Sequence, residues 1–280
     1  MIIVGVDGSV NSRAAVEWAA NDACRMRVPL RVVYAMDGSW YQIGKYPDVG
    51  LPDVLLREGR RILREAEALV HERQPTVDVT TQQVEGTPTV VLREQAKDAT
   101  EIVVGSRGLG GFAGALLGSV STHVAGHTHC PVVVVRGEHR PPQGEVVIGV
   151  DDSPECEPAL AYAFEQAQLQ GAALRVLHAW QLPVHAYAPA IAYDMDEVRT
   201  AQHQVVRNRL EALAKDYPQV KIIEDVHSAH PVEALTDASG RADLLVVGSH
   251  GRGAMGSVLL GSVSRGVLHH ARCPVAVVRA

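Results

Sequence analysis

The sequence predicts an α/β protein made of two tandem copies of a five-stranded parallel open sheet with helices on both faces. Three observations carry this. Short apolar runs, the mark of strands buried on both faces, alternate with amphipathic helical stretches. Such alternation implies right-handed crossovers and parallel pairing. The chain also repeats itself from end to end. Ile2-Ile3-Val4-Gly5-Val6-Asp7-Gly8-Ser9 returns as Val146-Val147-Ile148-Gly149-Val150-Asp151-Asp152-Ser153, and His129-Cys130-Pro131-Val132 returns as Arg272-Cys273-Pro274-Val275. Each half falls in the common domain range of about 100–150 residues, enough to bury its own core.

In the first half, the strand at 2–7 runs out at Asp7-Gly8-Ser9, ordinary turn chemistry in which Ser9 can start a helix over 11–26. The next strand is expected at 30–35, with helix 53–73, strand 77–84 and helix 88–98 following it. The apolar run Ile102-Val103-Val104 places a strand at 101–105, and helix 119–128 leads into a last strand at 131–136. In the second half the strands are expected at 145–150, 173–180, 220–227, 243–248 and 274–279, with helices at 154–169, 194–216, 231–239 and 262–270. Segments 36–52 and 181–193, rich in Pro, Gly and Tyr, read as longer loops, either lids over a site or plain surface. The Pro- and Gly-bearing stretch between Gly137 and Glu145 divides the chain into domains at 1–137 and 145–280, joined by a linker over 138–144.

Composition narrows the function. A net charge of −6 argues against nucleic acid as the main partner, because phosphate-backbone binding needs a basic face. No apolar run approaches the roughly 18 residues that span a bilayer. The chain enters strand-like sequence at once, which leaves no room for a signal peptide. Four cysteines in 280 residues are too few for a disulfide scaffold. A cytoplasmic location with no membrane partner is expected.

Chemistry concentrates in two matching segments, 105–121 and 248–264. Each has the form Gly-x2-Gly-x9-Gly-Ser, follows an apolar run, and contains no Asp or Glu. Glycines bring backbone N–H groups close to a ligand, and a helix start adds unpaired donors and the positive end of its dipole. The pattern therefore reads as an anion cradle, present twice, against the alternative of a flexible surface loop. In an open α/β sheet, ligands bind beyond the carboxyl ends of the strands, where strand order reverses. If the first and fourth strands are neighbours there, Asp7 or Asp151 shares a crevice with the loop, an arrangement suited to a nucleotide. The loop glycines are expected to matter for the ligand and little for the fold.

Other signals carry less. Gly251-Arg-Gly-Ala-Met-Gly256 matches the dinucleotide fingerprint in letters but follows the fourth strand, and no acid lies downstream in 270–280. Neither loop holds a lysine, so P-loop chemistry is excluded. His127, His129 and Cys130, like His269, His270 and Cys273, sit at the end of the last helix of each half. There histidine suits the negative dipole end and cysteine is readily buried, which favours structure over zinc. Cys24 and Cys156 occupy unmatched positions.

At the paired Val-Asp turns and the two Gly-x2-Gly-x9-Gly-Ser loops, the chain resembles a tandem universal stress protein of the ATP-binding type. The resemblance covers residues 1–136 and 145–280, and it implies strand order 3-2-1-4-5 with ATP between strands one and four. Carried over by position, the first site would use Gly5, Asp7, Ala35, Gly105, Gly108, Gly118, Ser119, Val120 and Ser121. The second would use Gly149, Asp151, Ala179, Gly248, Gly251, Gly261, Ser262, Val263 and Ser264. Asp7 and Asp151 could instead hold Mg2+. Asp152, where the first half has Gly8, puts a second acid beside the second site, so the N-terminal site is expected to be the tighter. The loops offer no general base placed to activate water. The resemblance thus implies a nucleotide-dependent regulator of stress adaptation with at most weak ATP hydrolysis. Alternatives are a slow ATPase or autophosphorylating enzyme, with Ser119, Ser121, Ser262 or Ser264 as acceptors, and an interaction module without ligand. The β-prone edges Val132–Val135 and Val275–Val278 are expected to pair within the chain and to support a homodimer.

Overall fold

In a computed structural model, the residues described are 1–38, 53–110, 117–137, 141–181, 194–251 and 260–280. They form two compact units, the first comprising Met1–Pro141 together with the last strand, Pro274–Arg279.

In the first unit, strands β1 (Ile2–Val6), β2 (Leu30–Met36), β3 (Val79–Glu85), β4 (Glu101–Gly105) and β5 (Val132–Val135) are all parallel, in the order β3-β2-β1-β4-β5. Helices α1 (Val10–Met26), α2 (Asp53–Arg73), α3 (Pro88–Gln95) and α4 (Ser119–His127) make the crossovers. Ile2, Ile3, Leu30 and Ile102 are fully buried, and α2 turns Ile62, Leu63, Ala66, Leu69 and Val70 onto the sheet. Ser9 caps α1, its hydroxyl accepting the N–H of Ser12 at 3.1 Å. Register sets Ile2 opposite Glu101 and Gly5 opposite Val104, so β1 and β4 end together and release Asp7 and Ser106 at one edge. The condition posed by the sequence is thereby met.

The sixth strand of this unit is β10 (Val275–Val278), which runs antiparallel to β5 with Val275 opposite Val134 and Val277 opposite Val132. Arg279, just beyond it, donates from Nη1 to the carbonyl of Gly126 at 3.1 Å.

The second unit repeats the plan with β6 (Glu145–Gly149), β7 (Ala173–Trp180), β8 (Ile222–Ser228) and β9 (Leu244–Gly248), all parallel in the order β8-β7-β6-β9. Its helices are α5 (Glu157–Gln170), α6 (Met195–Leu213), α7 (Pro231–Ala238) and α8 (Ser262–His270). Phe164 on α5 is fully buried and stacks on Tyr217 with ring centroids 5.1 Å apart. Asp243 gathers the N–H groups of Gln143, Gly144 and Glu145 at 2.7, 2.6 and 3.2 Å, which anchors the end of the expected linker.

Two helices start or end differently from expectation. The helix expected from 154 begins as a 3-10 turn over Pro154–Cys156, and α5 starts only at Glu157. The stretch 88–98 likewise splits into α3 and a 3-10 turn over Ala96–Asp98. Beyond Gly38 and Gln181, the loops expected at 36–52 and 181–193 lie outside the described residues.

Candidate functional site

At the carboxyl edge of the first unit, the chain leaves β1 through Asp7 and turns at Gly8, whose φ of +86° lies in the left-handed region that favours glycine. The Asp7 carboxylate then does two jobs. Its Oδ1 accepts the N–H of Ser9 at 2.9 Å and its Oδ2 accepts the N–H of Leu109 at 2.9 Å. One carboxylate thus closes the first βα turn and pins the glycine loop that follows β4. Ser9 adds a second tie, donating from Oγ to the carbonyl of Arg107 at 3.3 Å. A Cβ at Gly108 would collide with Asp7 Oδ2, so only glycine lets the loop lie this close.

The far end of the loop returns to its start. Gly118 N–H donates to the carbonyl of Ser106 at 2.7 Å, and Ser121 Oγ donates to the same oxygen at 3.1 Å. Gly118 is the N-cap of α4 and has no side chain to cap it, as Gly261 is for α8. The first N–H groups of a helix have no partner within it, so Ser119 and Ser262 each bring a backbone donor to the end of the loop. Ser119 and Ser262 are exposed. Ser121 and Ser264 are buried, and Ser264 Oγ donates to the carbonyls of Ser249 and Gly261, both at 3.0 Å. The buried serines close the loop mouths. Among the expected acceptor hydroxyls, only Ser119 and Ser262 face solvent.

The second copy is built from the same parts with different wiring. Gly261 N–H donates to the carbonyl of Ser249 at 2.8 Å, and a Cβ at Gly251 would come within 2.5 Å of Asp151 Oδ2. Asp151 Oδ1, however, receives both the N–H of Ser153 at 3.0 Å and its hydroxyl at 2.5 Å. Ser153 is therefore turned inward and does not cap α5. Arg209 of α6 reaches over this turn, donating to the carbonyl of Asp152 at 2.6 Å and to Glu157 at 2.8 Å.

The remaining expected site residues take up the edges. Gly5 and Gly149 lie on β1 and β6 beneath Leu92 and Leu235, each of which would be 3.0 Å from an added Cβ. Ala35 and Ala179 lie near the ends of β2 and β7, opposite Val84 and His227. Val120 and Val263 are second in α4 and α8. Gly105 and Gly248 end β4 and β9. Arg252 and the rest of the second loop through 259 lie outside the described residues.

One expectation fails. The loop glycines were expected to spare the fold, yet a Cβ at Gly105 would sit 2.7 Å from the carbonyl carbon of Asn11 and 2.9 Å from the N of Ser12. Strand β4 packs on the backbone of α1 at this point. Nor does any of the six loop glycines named as site residues have a positive φ. Gly105→Ala should therefore destabilise the protein by about 1–3 kcal/mol, as overpacking does. Urea denaturation would measure it, and an unchanged midpoint would contradict the packing argument. Gly248 is less tight, with the nearest atom, the His250 carbonyl oxygen, at 3.1 Å.

Sequence reasoning missed Ser106 and Ser249, although both recur at the same place in the two loops. It also missed His178, a buried imidazole with Nδ1 2.9 Å from the Val150 carbonyl and Nε2 2.8 Å from Gln202 Oε1. Among the described residues, no group of three or more His, Cys, Asp or Glu could hold a metal. Burial pushes the Cys130 thiol up to about 11 and raises that of Cys156, so neither is a ready thiolate.

The chain matches the universal stress protein family twice, over residues 1–136 and 144–279. It belongs to that family. Two whole-chain relatives support this, both from Mycobacterium tuberculosis. Universal stress protein Rv2005c is 35% identical over 289 residues, covering 99% of this chain and 96% of the relative. Universal stress protein Rv2623 is 37% identical over 291 residues with the same coverage. The fold is shared with a crystal structure of a universal stress protein from Archaeoglobus fulgidus, with a TM-score of 0.69 at 21% identity over 99% of this chain and 96% of that one. In this universal stress protein, no helix among the described residues is long and apolar enough to cross a membrane.

Proposed function

We propose that this universal stress protein binds ATP, one molecule per copy, and acts in the cytoplasm as a nucleotide-dependent regulator of stress adaptation. In this reading the copies span 1–137 and 145–280, pair through their last strands, and the chain forms a homodimer. The observation that carries the reading is the uncapped helix start at Gly118 and again at Gly261, each facing a glycine loop that lies against a strand-end aspartate. Backbone donors held in place before a ligand arrives suit phosphate oxygens. Gly5, Asp7, Ala35, Gly105, Gly108, Gly118, Ser119, Val120 and Ser121 would line the first site, and their counterparts the second. Both oxygens of Asp7 already accept an N–H, which suits a loop anchor better than a Mg2+ ligand or a general base. That geometry favours binding over turnover.

Calorimetry of the desalted chain with ATP tests the reading, with absorbance at 260 nm checking for nucleotide that co-purifies. Up to two binding steps are expected, the N-terminal one tighter. Saturation at a hundred times Kd should raise stability by about 2.7 kcal/mol per site. A chain that releases no nucleotide on denaturation and shows no heat with ATP would leave the interaction-module alternative standing.

A further inference from the structure

We propose that Arg209 is a positioning residue of the C-terminal site, one that fixes the turn carrying Asp151 and offsets that turn's acidity. The proposal rests on the nucleotide-binding reading above. Arg209 lies on α6, in a different element from every residue the loop pattern names, and its side chain is only 19% exposed. Its guanidinium donates from Nη2 to the carbonyl of Asp152 and from Nη1 to Glu157 Oε1. The two acceptors lie on either side of the 3-10 turn, so a single planar fork spans it, a geometry that a lysine cannot reproduce. The bonded carbonyl belongs to the Asp152–Ser153 peptide, so holding it fixes the Ser153 N–H that donates to Asp151 Oδ1. The carboxylate is then set by Ser153.

The N-terminal copy builds this turn differently. Its chain turns at Gly8, over which Ile62 Cδ1 packs, 3.0 Å from where a Cβ would be. The charges of the two turns also differ. Gly8, Asn11 and Arg13 of the first copy are matched by Asp152, Glu155 and Glu157 in the second. The segment after β6 therefore carries three carboxylates that its counterpart in the first copy lacks, and Arg209 is bonded to that same segment. Partly buried charges are screened less than surface ones, so the guanidinium would act on an anionic ligand as well as on the backbone.

The test is two-step calorimetry with ATP on the full chain, the C-terminal step being identified as the one that survives in a Gly118→Val background. Arg209→Met should weaken that step about tenfold or more, the scale of a lost charge-assisted bond. The N-terminal step should stay unchanged. Arg209→Lys should recover part of the affinity by restoring charge without the fork, and Asp152→Gly should strengthen the C-terminal step. A C-terminal step unaltered in Arg209→Met, or an equal loss at both steps, would overturn the proposal. For a Met variant that fails to fold, the Lys variant decides, and an affinity equal to the parent's would refute the fork. A parent chain with no C-terminal step sinks the site reading itself, and this proposal with it.

Discussion

Combining Gly118→Ala with Gly261→Ala should leave a folded protein that has lost ATP affinity by a hundredfold or more, about 2.7 kcal/mol or above. The fold should tolerate the change because neither position is strained for alanine. Gly118 has φ −79° and Gly261 has φ −61°. An added Cβ at Gly118 would lie 3.3 Å from the Ser106 carbonyl oxygen and 3.4 Å from Arg107 Cα, and one at Gly261 would have neighbours at 3.4 and 3.5 Å. Alanine is also a poorer N-cap than glycine, which costs up to about 1 kcal/mol per helix. The ligand is less forgiving. Each methyl group stands where loop start and helix start meet, and charge-assisted bonds of about 1.5–3 kcal/mol each are disturbed together. Calorimetry and urea denaturation on the same preparation separate the outcomes. Parental ATP affinity in the double variant refutes the cradle, and a chain that does not fold makes these glycines structural.

The largest stability effect is expected at Phe164→Ala, at about 3–5 kcal/mol. Phe164 is fully buried on the face of α5 toward the sheet, and it is among the largest side chains in that state. Its ring stacks on Tyr217, a pair worth about 0.5–1.5 kcal/mol beyond its buried area. With two phenylalanines in the whole chain, few neighbours are bulky enough to fill the space by rearranging. Against a domain stability of about 5–15 kcal/mol, the second unit should approach its threshold near physiological temperature. Urea denaturation would read the loss, and Phe164→Leu should show less than half of it. An alanine variant within 1 kcal/mol of the parent would mean that the site collapses freely.

The fold was legible because its signals are local and doubled. Apolar runs set the strands, and the repeated Val-Asp turn and glycine loop put the two candidate sites at matching places. The ends of β1 and β4 fall together in the structure as the switch-point argument requires. What escaped reading depends on partners distant in sequence. Gly105 looks like any loop glycine until α1 is seen packed against it. Ser9 and Ser153 are the same letter in the same repeat, yet one caps a helix and the other turns inward to Asp151. Several changes nearby accompany that switch, Asp152 for Gly8, Pro154 for Val10 and Glu155 for Asn11 among them. Arg209 carries no motif, because its role is set by where α6 passes.

The place of β10 bears on how the chain is made. Val134 finds its partner in Val275, on a strand of the second copy that is made much later than β5. At about 5–20 residues per second, the ribosome completes β5 on the order of ten seconds before β10 emerges. Through that interval the N-terminal sheet ends in four consecutive valines with an unclaimed row of N–H and C=O groups, the kind of edge that recruits strands from other chains. The first unit is thus completed only after the second copy has been made. A nascent chain stalled or clipped short of β10 would leave that edge open, which makes this interval the point of greatest exposure to misassembly and the natural one for a chaperone to cover.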